Sequence, residues 1–189
     1  VVGLLLADKR VDPGTTNHSD STALILAAWN GHAPVATLLL ADERVEPNMV
    51  DIEGSTALMI AAEKGHAPLV TLLLDHKYTD ARKRVNHNIT LQNQWKALIL
   101  AVRSGRSGRA SVVELLLTGE RVDPNMTTSY GFTALMFAAE DGDVPVVKLL
   151  LADKRLEPNM GDYPALMLAA QEGHAPVVAL LLADERVKP

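Results

Sequence analysis

Among the side chains able to do chemistry, the histidines come first. His32, His66 and His174 each follow a glycine, while His18, His76 and His87 lie in polar stretches. A metal centre or a general base needs partners at ligand or hydrogen-bonding spacing, and none recurs beside these residues. The chain has no cysteine, which removes disulfides, thiolate nucleophiles and cysteine-based zinc sites. It also has no HExxH pair, no glycine-rich phosphate loop and no serine nucleophile elbow. Neither catalysis nor a metal nor a cofactor is expected. Any enzymatic context would make the chain a non-catalytic targeting or regulatory region of a larger enzyme.

Two other chemistries remain, charge and aromatic surface. Net charge is −5, but it is unevenly spread. From His76 to Ala110, eight Lys/Arg stand against the single acid Asp80, so this belt carries +7 and the rest of the chain −12. Arg82, Lys83 and Arg84, with Arg103, Arg106 and Arg109, form an alternative site for an anionic partner. The plainer reading, solvated basic loops, is favoured, with an acidic protein next. Overall acidity and the lack of interleaved aromatics weigh against nucleic acid. Ser104, Ser107 and Ser111 lie among these arginines as candidate kinase sites. Asn17, Asn88 and Asn125 open Asn-x-Ser/Thr triplets, which turn chemistry alone accounts for in a chain without an export signal. Aromatic residues make up only 4% of the chain: Trp29, Tyr78, Trp95, Tyr130, Phe132, Phe137 and Tyr163.

The elements that must position these groups are legible in Thr56 to Leu74, TALMIAAEKGHAPLVTLLL. Thr56 is suited to cap a helix start. Leu58, Ala61 and Ala62 fall on one stripe of that helix. Gly65 ends it, and Pro68 opens a second helix whose stripe is Val70, Leu73 and Leu74. Helices this short are marginal alone. The stretch recurs from Thr22 to Leu40, Thr133 to Leu151 and Pro164 to Leu182, and more loosely from Lys96 to Leu117. Leu24, Leu58, Leu98, Leu135 and Leu166 mark a period near 34 residues, the signature of a solenoid. With 48% hydrophobic residues and few aromatics, the stacked core is expected to be aliphatic.

In chain order the expected units are a half repeat at 1–14, repeats at 15–48 and 49–88 (the second with an extended connector), a divergent repeat with an insertion at 89–125, a repeat at 126–159, and a truncated one at 160–189. Both ends fall inside the repeat, which points to a segment of a longer array or to ends covered by another element. The apolar runs are too short to span a bilayer and no export signal is present, so a cytoplasmic location is expected.

The pattern G-x-T-A-L-x-x-A-A-x-x-G-H-x-x-V-V-x-L-L-L, with Gly54, Thr56, Leu58, Ala61, Ala62, Gly65, His66, Val70 and Leu72 to Leu74 in its slots, resembles the ankyrin repeat. The resemblance covers nearly the whole chain. It implies an all-α solenoid of stacked antiparallel helix pairs with protruding hairpin-like loops, which binds partner proteins along its concave side. It also implies that His32, His66 and His174 brace loops through hydrogen bonds. The third copy departs most: Lys96 replaces the capping Thr, Gln94 a Gly expected at positive φ, and Val102 a close-packing Ala. Its loop is therefore expected to take a different shape, and the blunter loop is that of the last copy, Met160 to Tyr163.

By the same resemblance, Trp95, Phe132 and Tyr163 end successive loops and form an aromatic row on the concave side, with Tyr130 and Trp29 assisting. Glu53, Glu63, Lys64, Arg103, Glu140, Asp141 and Glu172 tune charge beside it. Phe137 shares the slot of Ile60 and Leu168 and is assigned to the core. The expected function is protein–protein interaction, as a scaffold or adaptor.

Overall fold

The computed structural model describes residues 1–75, 87–105, 107–118, 122–161 and 164–188. These form eleven α-helices and no strand. After a lone helix α1 (Val2–Ala7), five pairs follow: α2 (Ala23–Trp29) with α3 (Ala33–Leu40), and α4 (Ala57–Glu63) with α5 (Ala67–Asp75). Next come α6 (His87–Arg103) with α7 (Arg109–Leu117), α8 (Ala134–Glu140) with α9 (Val144–Ala152), and α10 (Ala165–Gln171) with α11 (Ala175–Ala183). The first helices α2, α4, α6, α8 and α10 stack in one layer, and α1, α3, α5, α7, α9 and α11 in a second. The chain is an all-α repeat solenoid.

Local chemistry sets the helix limits. Thr22, Thr56 and Thr133 each cap a first helix by accepting the backbone N–H three residues on, at 3.2–3.3 Å. Gly31, Gly65 and Gly142 end those helices at positive φ. Alanine pairs such as Ala61–Ala62 and Ala138–Ala139 are fully buried and let the first helices approach closely. Leucines and valines fill the gap between the layers, including Leu24, Leu69, Leu98, Leu135 and Leu181. Each contributes about 1.5–3 kcal/mol by leaving water.

The loops before α4 and α8 are tight turns rather than sheets. Asp51 accepts from the backbone N–H groups of Glu53 and Ser55, and Val50 bridges to Thr56. Thr128 and Gly131 build the equivalent turn before α8. Neighbouring loops are tied, with Ile52 N–H donating to the Ser19 carbonyl at 3.1 Å.

The third copy breaks the rule. Where a loop is expected, α6 runs unbroken for 17 residues, HNITLQNQWKALILAVR. Two absences explain it: no Thr caps a start at Lys96, and no Gly or Pro interrupts the stretch. Gln94 and Trp95 are thus helical, and Trp95 does not end a loop as its alignment slot implied.

Candidate partner-binding face

Neighbouring first helices are joined at the same corner by two chemistries. His66 donates from Nε2 to the Trp29 carbonyl at 3.4 Å, and His174 to the Glu140 carbonyl at 2.8 Å. Each ring lies over the preceding glycine, so a Cβ at Gly31 or Gly142 would land within 3.0 Å of it. In the third and fourth copies, the histidine slot holds Arg109 and Asp143. The Arg109 guanidinium pairs with the buried Asp143 carboxylate and approaches Asp141 at 3.9 Å. Asp143 also caps α9 by accepting from Val146 N–H at 3.1 Å. Arg109, grouped with the basic belt from the sequence, is therefore held inside the array by two acids.

A second device lies in the connectors between copies. In Asp42-Glu43-Arg44, Asp153-Lys154-Arg155 and Asp184-Glu185-Arg186, the aspartate orients the arginine toward carbonyls at the end of the preceding second helix. Arg44 reaches Leu6 O at 2.9 Å, Arg155 reaches Leu117 O at 3.3 Å, and Arg186 reaches Leu151 O at 2.6 Å. The arginine thus satisfies otherwise open carbonyls at a helix C-terminus. The side-chain hydrogen bond from Arg44 lowers the Asp42 pKa to about 2, and the corresponding arginines lower Asp153 and Asp184. Asn125 and Asn159 add a further brace. Asn125 donates to Arg155 O at 2.8 Å and accepts from Glu157 N–H at 2.7 Å, and Asn159 bonds Arg186 O and Lys188 N–H in the same way. The Asn125 amide is therefore committed within the fold.

Of the aromatic residues among those described, Trp29 and Tyr130 are the open ones, at 52% and 88% exposure. Their slots are solvent-facing in other copies. Arg103, Glu140 and Gln171 are exposed in the slot of Trp29, as are Ser19 and Glu53 in that of Tyr130. Ile52 is a third apolar residue of this kind, 70% exposed in a slot shared with exposed His18 and Ser129. Sequence reasoning passed over it for want of a ring. Its signal was an apolar residue in a slot that is polar in the other copies. Leu26 and Met167 are also exposed, but at the two ends of the first-helix row, where no neighbouring first helix covers them.

Trp95 and Phe132 are half-buried. The Trp95 indole N–H donates to the Met126 carbonyl at 3.1 Å, tying α6 to the next loop. Phe132 packs on Phe137 with ring centroids 5.1 Å apart, and Arg103 lies over the Phe137 ring at 5.1 Å. Phe137, assigned to the core from its slot, is half-buried in this cluster. Lys64 sits 3.7 Å over the Trp29 ring while pairing with Glu63 at 2.9 Å. Glu53, Glu140 and Glu172 are exposed and enter no ion pair among the described residues. Tyr163 and the belt residues Arg82, Lys83, Arg84 and Arg106 lie outside the described residues, as does most of the extended connector.

Among the described residues, no group of acids, histidines or cysteines could hold a metal ion, and no helix is long and apolar enough to cross a membrane. Ankyrin repeats (3 copies) match the chain over residues 1–85, 24–120 and 98–189. The chain is similar to the crystal structure of EF0377, an ankyrin repeat protein, with a TM-score of 0.78 and 22% identity. That similarity covers 95% of this chain and 89% of that one. No curated protein matches the chain. Helix pairing, glycine–histidine corners and family match agree: this chain belongs to the ankyrin-repeat family, which is typically non-catalytic and generally serves protein–protein interaction.

Proposed function

We propose that the chain is a scaffold or adaptor, working in the cytoplasm, that binds a partner protein on the face formed by its loops and first helices. The observation that carries this reading is the set Trp29, Ile52 and Tyr130, three large apolar or aromatic side chains in slots that face solvent. Aromatic anchors contribute most of the binding energy at protein interfaces. Trp29 and Tyr130 therefore lead in this reading, while Trp95 and Phe132 stiffen the layer through Met126 and Phe137. Glu53, Glu63, Lys64, Arg103, Glu140, Asp141 and Glu172 set its charge. Recognition is pre-organised, because the stacked helices hold the loops in place and binding loses little ordering entropy.

The test is affinity purification from the native source with the wild-type chain and with Trp29→Ala and Tyr130→Ala. A partner retained by the wild type should weaken by about 2 kcal/mol or more with either variant, at unchanged far-UV circular dichroism. Full retention by both variants rejects the face.

A further inference from the structure

The charges on this face identify the chemistry of its occupant, an inference that rests on the docking reading above. Lys64 is neutralised by Glu63 and lies against the Trp29 ring, and Arg109 is consumed by Asp143 and Asp141. Exposed Asp20, Glu53, Glu140 and Glu172 remain on the loops and first helices. Among the described residues of that layer the opposing cations are Lys96 and Arg103, and Arg103 already covers Phe137. The described part of the face is therefore acidic. Its aromatic rings also attract positive charge, since both ring–cation contacts among the described residues, Lys64 on Trp29 and Arg103 on Phe137, lie within this layer.

We infer that the occupant is a cationic peptide segment in which lysines or arginines flank at least one large apolar side chain. Its apolar side chains dock on Trp29, Ile52 or Tyr130, and its cations meet Glu53, Glu140 and Glu172. An acidic segment would face these same carboxylates, and a nucleic acid would do so with a phosphate at every step.

A random dodecapeptide library displayed on phage and selected against the full chain tests this. Enriched peptides are then synthesised with a fluorescent label and titrated by fluorescence anisotropy. The proposal expects Lys/Arg enrichment beside aromatic or aliphatic residues. It expects affinity to fall about tenfold when Glu53, Glu140 and Glu172 are all changed to Gln, and to fall again between about 50 mM and about 300 mM salt. Acidic or neutral binders that still need Trp29 and Tyr130 overturn the charge assignment and leave the face standing. Binders indifferent to Trp29→Ala and Tyr130→Ala overturn the face itself. A selection with no enrichment overturns the cationic occupant.

Discussion

The corner between α8 and α10 and the corner between α6 and α8 occupy equivalent places and are held by unlike chemistry. At the first, a neutral hydrogen bond from His174 reaches the Glu140 carbonyl over Gly142. At the second, an ion pair between Arg109 and Asp143 does the same work, next to a helix that has replaced its loop. The solenoid thus tolerates exchange of the joint's chemistry while the stack of alanine-faced first helices is kept. The cost of losing each joint should differ, because a buried carboxylate also leaves a charge stranded when its partner is removed.

The largest effect is expected at that ion pair. Asp143→Ala removes the cap of α9 and strands Arg109, so it should lower stability by about 2–3 kcal/mol in chemical denaturation. His174→Ala should cost only about 1 kcal/mol. Equal losses would mean that the two corners are not distinguished by charge.

Next come the glycines. Gly142→Ala places a Cβ at positive φ within contact of the His174 ring, and should cost about 2 kcal/mol. Gly105 has the same sign of φ but open space around it, so Gly105→Ala should cost about 1 kcal/mol. The difference isolates the histidine contact.

A smaller change sharpens the helix–loop contrast. Gln94→Gly should destabilise by about 1 kcal/mol, because glycine weakens a helix interior. Were residue 94 in a loop at positive φ, as Gly54 is, the same substitution would stabilise instead.

Much of the architecture was readable because its signals are local. Thr22, Thr56 and Thr133 announce helix starts, and glycine followed by histidine announces the corners. The third copy was recognisable as deviant from Lys96 and Gln94. That its loop becomes helix follows from the missing stop signals over the whole stretch, which alignment to a slot conceals. The Asp-x-Arg arginines were visible as repeated residues, yet their targets lie about a repeat away and depend on the register between neighbours. Trp95 is half-buried for the same reason, since its indole reaches the next copy's loop, whereas Phe132 is half-buried against Phe137 of its own copy.

The smallest effect concerns these arginines. Arg44, Arg155 and Arg186 depress the pKa values of Asp42, Asp153 and Asp184. A depressed carboxyl contributes stability above its unfolded pKa and loses it as pH falls through the folded value. For Asp42 that window runs from its ordinary 3.8 down to about 2. Thermal melts should show this loss below pH about 4, and Arg44→Gln should flatten it.

The central functional claim is that the loop and first-helix layer receives the partner. Amide hydrogen exchange with and without a selected cationic peptide tests it most directly. The account predicts new protection in α2, in the loops at 50–56 and 126–133, and in α8. Protection confined to α3, α5, α7 and α9, on the second layer, would contradict it.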